Sequence, residues 1–356
     1  MKKLLIISRH QFGYLIDIYK WCKYLDSDYH IYVITLGNRP RVTLDRPNFH
    51  VHYVSMRGNR TIRGIRYILV CLRYLIGNKG ITIVEYFNGC SIFKKVFPWK
   101  KMILDVRTLS VSENEEIRKK EDSVLKLYTN IFDFTTIISE GTREKLNLDK
   151  SKSAIVPLGS DIISTKNKRF DKLRLLYVGT LTGRKIEKTI KGLALYINQH
   201  TITDLHYDIV GNGAGNELQN LKDSAKELGI DNHITFHGYK QHNEIEQLFD
   251  ECNVGVSFVP ITSHYDHQPP TKSYEYVLSG LYTIATATHC NKEIITEKNG
   301  VIIMDNEESF CSALEHIDAN KHKFNSEEIR NTLKDSQWEI IVEKTLQKVL
   351  DNMTTK

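Results

Sequence analysis

Three stretches of this chain combine glycines, cations and a carboxylate in ways that suit a phosphorylated ligand. In HQPPTKSYEYVLSG, residues 267–280, Pro269 and Pro270 stop a loop, Thr271 can cap the helix that follows, and Gly280 suits that helix's C-terminal end. Lys272 and Glu275 lie three apart and share one face of it. A cation beside a positive helix terminus suits a diphosphate, and a carboxylate one turn deeper suits two sugar hydroxyls, so the pair matches the phosphate and ribose of a nucleotide. A surface ion pair is the plainer account, but apolar Tyr274, Tyr276, Val277 and Leu278 bracket the two residues. In YVGTLTGRKIEKTIKGLALY, residues 177–196, a hydrophobic run ends at Gly179 and a helix is expected from about Lys185. Gly179 and Gly183 let backbone approach a ligand, while Arg184 and Lys185 bring two cations to the helix entrance. A solvated loop would carry similar residues. The third stretch, residues 208–239, places Gly211, Gly213 and Gly215 after an apolar run. It lacks the first-strand position and the acid about 20 residues on that mark a dinucleotide fingerprint. Its glycines read as a plain turn, with Gly238 and Tyr239 at the next strand end available to a base.

Such groups need elements to hold them. Short β-rich runs alternate with helix-length segments at residues 3–8, 29–36, 50–54, 81–86, 102–106, 135–139 and 154–157. The pattern restarts at 173–179, 206–211, 234–237, 255–259, 283–287 and 301–304. Near-continuous Ile, Leu and Val in these runs is the mark of parallel sheets covered on both faces, and predicts an α/β fold of two doubly wound, Rossmann-like domains. Ligands bind such folds at the carboxyl ends of the strands, so two domains face to face would hold a ligand in the cleft between them. The polar stretch GSDIISTKNKRFDK, residues 159–172, reads as the junction, giving domains at 1–163 and 164–335. The tail at about 336–356 has a helical pattern with Trp338, Ile341, Leu346 and Leu350 apolar.

Composition excludes several classes. At 356 residues, 41% hydrophobic and 26% charged, with 20 Gly and 7 Pro, the chain is neither disordered nor fibrous and is long enough for two cores. The opening MKKLLIISRHQ has too short an apolar run for a secretory signal, and the run 67–72 between Arg66 and Arg73 is too short to span a bilayer. A cytoplasmic location is expected. Cys22, Cys71, Cys90, Cys252, Cys290 and Cys311 form no CxxC pair, and the 14 histidines form no HExxH, so core thiols and no metal site are expected.

Charge is uneven. Residues 1–100 hold 17 basic against 5 acidic residues, many of them between Arg57 and Lys101. Within that segment, RGNRTIRGIRYILVCLRYLIGNKG (57–80) reads as an amphipathic helix. Ile62, Ile65, Leu69, Leu72 and Ile76 form its apolar stripe, with Arg63, Arg66 and Arg73 at the edges. Two accounts stand: a buried helix rimmed by arginines beside a solvated basic loop, or a surface for an anionic partner such as membrane headgroups or a lipid-linked pyrophosphate. No helix-turn-helix, zinc-finger or ribonucleoprotein pattern accompanies the charge, so nucleic acid is not expected.

The series YVGTL...RK, DIVGNG...ELGI...I.FHGY, CNVGVSFVP and PPTKSYEYVLSGLYTIAT resembles the nucleotide-binding half of glycosyltransferase family 4, retaining enzymes of GT-B fold. The resemblance runs over about residues 134–350 and includes TTIISEG, IVPLGSD and a late Trp338, in the helix that in this family crosses back to the first domain. It implies that Lys185 binds the donor's diphosphate, that Arg184 substitutes for an arginine usually found at Thr180, and that Lys272 adds a phosphate ligand. The second of the family's paired glutamates maps onto Glu275, for the ribose; the first maps onto His267, which implies an unusual donor sugar. Gly179, Thr180, Gly238, Tyr239, His267, Thr271 and Glu275 would thus bind the donor nucleotide-sugar, of UDP or GDP type, with Lys185, Lys272 and Arg184 stabilising the leaving group and no obligate metal.

Acceptor contacts are expected from His10, Gly13, Asn88 and Arg107, which follow predicted strands; the first turn keeps only Gly13 of the family's glycine pair, and VEYFNG (84–89) lacks its histidine. The implied activity is a retaining, hexosyltransferase-type transfer to a glycan or polyprenyl-diphosphate-linked acceptor in bacterial capsule or lipopolysaccharide synthesis, at the inner face of the cytoplasmic membrane. The rivals are a nucleotide-sugar epimerase of similar architecture and a non-catalytic partner subunit of a transferase complex. A periplasmic solute-binding protein shares the two-lobed plan but requires a signal peptide.

Overall fold

The computed structural model describes residues 1–355 apart from 111, 113, 201–203, 242–243, 263–264 and 267–269. The chain forms two compact units, Met1–Gly159 with Trp338–Lys356, and Ser160–Gln337. Each unit is a doubly wound parallel sheet.

In the first unit the strands are β1 (Lys2–Ile7), β2 (Tyr29–Gly37), β3 (Phe49–Ser55), β4 (Ile81–Glu85), β5 (Met102–Val106), β6 (Phe134–Ile137) and β7 (Ser153–Ile155). Their order is β3-β2-β1-β4-β5-β6-β7, with every pairing parallel. Five helices alternate with them: α1 (Ile16–Tyr24), α2 (Arg60–Gly77), α3 (Ser91–Val96), α4 (Glu115–Thr129) and α5 (Glu140–Leu146). Strands β4 and β5 are buried at every position, which is why ITIVE and MILDV read as continuous apolar runs. Each nevertheless carries a buried carboxylate near its carboxyl end, Glu85 and Asp105.

The second unit contains β8 (Leu173–Val178), β9 (Leu205–Val210), β10 (Ile234–Gly238), β11 (Val254–Ser257), β12 (Tyr282–Thr286) and β13 (Gly300–Ile303), ordered β10-β9-β8-β11-β12-β13 and all parallel. Its helices are α6 (Glu187–His200), α7 (Glu217–Glu227), α8 (Glu246–Glu251), α9 (Thr271–Leu278), α10 (His289–Ile294), α11 (Glu307–Asn320) and α12 (Ser326–Asn331). The chain then returns to the first unit through α13 (Trp338–Ile341), a π-helical segment (Val342–Gln347) and α14 (Lys348–Thr355). Trp338, Ile341, Leu346 and Leu350 are buried there, and α13 packs against α1.

Every apolar run expected to form a strand does so, shifted by two residues at most. The polar stretch 159–172 is fastened to the second unit: Ile163 and Ser164 donate backbone N–H to Ser279 Oγ at 3.2 Å, and the Lys168 N–H bonds Ser326 Oγ at 2.7 Å. Two local expectations need correction. Thr271 does not cap α9; it is the first helical residue and Pro270 precedes it, with no side-chain cap. Proline suits that entrance, because it lacks the N–H that would go unpaired there and restricts its own backbone. Helix α6 begins at Glu187 rather than Lys185, whose φ of 54° lies in the left-handed region.

A third correction concerns α2. The residues it buries are Tyr67, Cys71 and Leu75. The stripe of Ile62, Ile65, Leu69 and Ile76 faces water, between 49% and 70% exposed. The two stripes lie roughly 140° apart round a helix of 3.6 residues per turn, so the apolar periodicity marks the outer face. An ordinary buried helix does not describe it. Among the described residues no helix is long and apolar enough to cross a membrane.

Candidate functional site

Strand order in the second sheet reverses between β8 and β11, and a crevice opens at that switch point. A cavity of about 290 Å³ is lined there by residues 177–180 after β8, Arg184, residues 256–259 after β11, Tyr265, and residues 270–272 at the start of α9.

Local chemistry explains this shape. Strands β8, β9 and β10 end level with one another, where Gly179 N–H donates to the Val210 carbonyl at 3.0 Å and Gly211 N–H to the Gly238 carbonyl at 2.8 Å. A Cβ on Gly211 would fall 1.8 Å from the Gly179 carbonyl oxygen, so only glycine permits that crossing. The loop after β8 is then pinned from α7: Thr182 Oγ–H donates to Glu217 Oε2 at 2.7 Å, and Ala214 N–H to Thr182 Oγ at 2.7 Å. The Arg184 guanidinium lies 4.3 Å from the centre of the Tyr265 ring.

Helix α9 is held from beneath. Tyr276, fully buried, accepts the Val178 N–H on its hydroxyl at 2.8 Å, and a Cβ on Gly255 would come within 2.3 Å of its ring. Ser273 Oγ bonds Ser257 Oγ at 2.7 Å and Asn291 Oδ1 at 2.8 Å. Gly280, at φ 80°, closes the helix C-terminus by donating to the Val277 carbonyl at 2.9 Å. On the helix face above, Lys272 Nζ and Glu275 Oε2 are 2.5 Å apart, both side chains mostly buried.

Of the residues expected to bind a donor, Gly179, Thr180, Arg184, Thr271 and Lys272 line this cavity, and Glu275 reaches it through its ion pair with Lys272. Gly238 contributes a backbone bond one strand away. Lys185 is exposed and Tyr239 is 73% exposed, both outside the cavity lining; His267 lies outside the described residues. Tyr265, Ser257 and Val259 were not singled out from the sequence, although CNVGVSFVP ends a strand at that place.

The first unit gathers a second cluster at the carboxyl ends of β1 and β4, its own switch point. Ile7 lies opposite Val84 in the register, so Ser8 comes beside Glu85. Ser8 Oγ–H donates to Glu85 Oε2, and His10 Nδ1 meets Glu85 Oε1 at 2.5 Å. That bond holds the His10 pKa above its usual value, against the opposing effects of partial burial and Arg9. Gly13, at φ 86°, packs so closely on Val42 that a Cβ would fall within 2.5 Å of it. Asn88 Oδ1 accepts the Tyr128 hydroxyl at 3.2 Å.

The Arg107 side chain, 8% exposed, is paired with Asp17, bonded to the Val156 carbonyl at 2.7 Å and stacked 5.3 Å from the Trp21 ring centre, so its contacts brace its own unit. Beside it, burial pushes the Asp105 carboxyl up to about 7, with Arg107 and the Thr136 hydroxyl pulling the other way. Glu85 was not anticipated as a site residue; its only sequence signal is a carboxylate ending the apolar run ITIVE. Among the described residues no group of three or more His, Cys, Asp or Glu could hold a metal ion.

Residues 160–333 match the family Glycosyl transferases group 1. That segment is nearly the whole second unit. No curated protein matches the chain. Among solved structures, sucrose-phosphate synthase (tll1590) from Thermosynechococcus elongatus superposes with a TM-score of 0.76 at 16% identity, covering 100% of both chains. The lipopolysaccharide outer core galactosyltransferase WaaB gives 0.71 at 15% identity, over 100% of this chain and 99% of that one. Anabaena Alr3699/HepE in complex with UDP and glucose gives 0.75 at 12% identity, over 99% of this chain and 100% of that one. The fold is GT-B, and the family match over residues 160–333 supports glycosyl transfer.

Proposed function

We propose that the chain is a retaining glycosyltransferase that moves a hexose from a nucleoside-diphosphate sugar, of UDP or GDP type, to a glycan or polyprenyl-diphosphate-linked acceptor in bacterial surface polysaccharide synthesis. The observation that carries this reading is the switch-point cavity at the ends of β8 and β11. There Lys272 stands on the first turn of α9, Arg184 is held over Tyr265, and Gly179 and Thr180 expose backbone. As the anomeric bond breaks, negative charge grows on the departing diphosphate, and preorganised cations stabilise it more than they stabilise the bound donor. Lys272 and Arg184 are those cations, with Lys185 joining them from the loop. A diphosphate competes with Glu275 for Lys272, which frees the carboxylate for ribose hydroxyls. The HepE complex with UDP and glucose supports a nucleotide-sugar as the donor class.

The acceptor belongs to the first unit, where His10, Gly13 and Asn88 stand at or beside strand ends. The outer stripe of α2, Ile62, Ile65, Leu69 and Ile76, with Arg66 and Arg73 beside it, suits the surface of an anionic bilayer, where a lipid-linked acceptor would be found.

Thermal unfolding against millimolar UDP, GDP, ADP and CDP without metal tests the donor site. Nucleotide at about 100 times its Kd raises stability by about 2.7 kcal/mol. A shift with UDP or GDP is expected; no shift with any of them overturns the reading and favours a non-catalytic partner subunit.

A further inference from the structure

We propose that the first unit binds the phosphodiester headgroup of an anionic membrane lipid in a cavity beside α2. This rests on the reading of the outer face of α2 as a membrane contact, and adds to it a binding site within one unit and apart from the carboxyl ends of the strands.

The cavity, about 490 Å³, lies between α2 and one face of β1, β2 and β3. The helix packs on the sheet through Tyr67, Cys71 and Leu75, and its last residue, Gly77, has no side chain; a Cβ there would meet no atom within 4 Å. Part of the sheet is left uncovered. The register sets Leu5 opposite Tyr32, Tyr32 opposite His50 and Ile34 opposite His52, so Lys3, Tyr32, His50 and His52 share this face. A sheet wound on both sides ordinarily buries aliphatic residues in such places. Here His50 and His52 are exposed, the Tyr32 ring stacks with His30 and His50 at 4.8 and 5.0 Å, and the Tyr74 hydroxyl lies 3.2 Å from His52 Nδ1. The wall is aromatic and polar, and the volume is that of a small-molecule site.

Charge selects an anion. Lys3 and Arg73 line the cavity from β1 and α2, no lining residue is acidic, and neither cation forms an ion pair among the described residues. A phosphodiester offers oxygens to both cations and to the tyrosine hydroxyls. What borders the cavity sets the rest of the ligand. At about 100° per residue, Tyr74, Val70, Gly77, Arg73, Leu69 and Ile76 follow one another round α2 in steps of roughly 20–40°. The first four line the cavity, whereas Leu69 and Ile76 are 60% and 70% exposed. An anion held by Arg73 therefore lies beside bare apolar surface. Through Lys3 and Asn78 the cavity also adjoins a second one, of about 650 Å³, lined by Lys79 and by Trp99, which is 74% exposed. Exposed Trp, Leu and Lys suit the headgroup layer of a bilayer, and a lipid seated by its phosphate would lay its chains against Leu69 and Ile76. A soluble phosphate ester would leave that border in water.

Isothermal titration of the full chain with dihexanoyl-phosphatidylglycerol, kept below its micelle concentration, tests the site. Wild-type protein should bind it saturably and one to one, and bind dihexanoyl-phosphatidylcholine far more weakly. Lys3→Gln combined with Arg73→Gln should weaken binding about tenfold or more, whereas Arg60→Gln combined with Arg63→Gln, which removes equal charge outside the cavity, should leave it unchanged. Gly77→Phe should weaken binding while every cation is kept. Equal binding by the two charge variants overturns the proposal. So does binding of glycerol phosphate or inorganic phosphate as tight as that of the lipid, which would make the ligand a soluble ester. Ile62→Gln combined with Ile65→Gln, away from the cavity, should weaken cosedimentation with phosphatidylglycerol vesicles and keep short-chain binding. Vesicle cosedimentation by the wild type without saturable short-chain binding overturns the cavity site and leaves the outer face of α2 as the membrane contact. Absence of both overturns that reading as well.

Discussion

Replacing Tyr276 by Phe removes one oxygen atom from the centre of the second unit and should destabilise it by about 1 kcal/mol. The ladder between β8 and β11 pairs Leu175 and Leu176 only, so the Val178 N–H beyond it finds no strand carbonyl and bonds the Tyr276 hydroxyl at 2.8 Å. Phenylalanine keeps the ring against Phe249, 5.5 Å between centroids, and leaves little cavity. Val178 is half-buried at the cavity edge, so the loss is that of one part-buried hydrogen bond, about 1 kcal/mol. For a domain of this size 1 kcal/mol corresponds to a fall in Tm of roughly 2–4 °C. Differential scanning calorimetry measures it, with Tyr239→Phe as a control, because that ring is 73% exposed and should stay within about 0.5 kcal/mol of wild type. A Tyr276→Phe protein as stable as the control would refute the reasoning: the Val178 N–H would then have another partner, and α9 would not be fastened to β8 through this bond.

Lys272→Ala should lower kcat/KM by about 10²-fold, or about 2.7 kcal/mol of transition-state stabilisation, measured as nucleoside-diphosphate release from the sugar donor; wild-type rates would remove Lys272 from the leaving-group site. Burial holds the Asp105 carboxyl at about 7, above the ordinary carboxylate range, so its contribution to stability is present at low pH and is lost as pH rises from that range to about 7. Asp105→Asn should flatten that part of the profile in urea unfolding at successive pH values, and an unchanged profile would assign the limb to other groups. The chain should cosediment with phosphatidylcholine vesicles containing phosphatidylglycerol and less with phosphatidylcholine alone, with added salt weakening binding. Ile65→Gln combined with Leu69→Gln on the outer face of α2 should abolish it, and binding independent of anionic lipid would remove the electrostatic basis.

The outline of both sheets was legible because strands buried on both faces leave unbroken apolar runs, as ITIVE and MILDV do. Much of the switch-point cavity was legible too: PPTKSYEY and YVGTLTGRK each bring a loop, a helix start and cations together within a few residues. Where local pattern failed, a neighbour distant in sequence had decided the matter. Periodicity located the apolar stripe of α2 but not the side facing the sheet, since Tyr67, Cys71 and Leu75 are equally compatible with a helix. Arg107 follows a strand, but nothing local in the sequence shows its pairing with Asp17, 90 residues earlier.

The sequence by itself therefore determined what depends on near neighbours: which runs become strands, where glycine and proline end elements, and which loops carry cations. Tertiary structure alone decided which groups meet. Glu85 joined a cluster only when the β1–β4 register brought it to Ser8 and His10, and Tyr276 became the support of the switch-point cavity only when α9 was packed over Gly255 to reach Val178. Hydrogen bonds, ion pairs and pKa shifts act over a few ångströms. In a doubly wound fold, residues that close are often 75 or more positions apart, and only strand order brings them together.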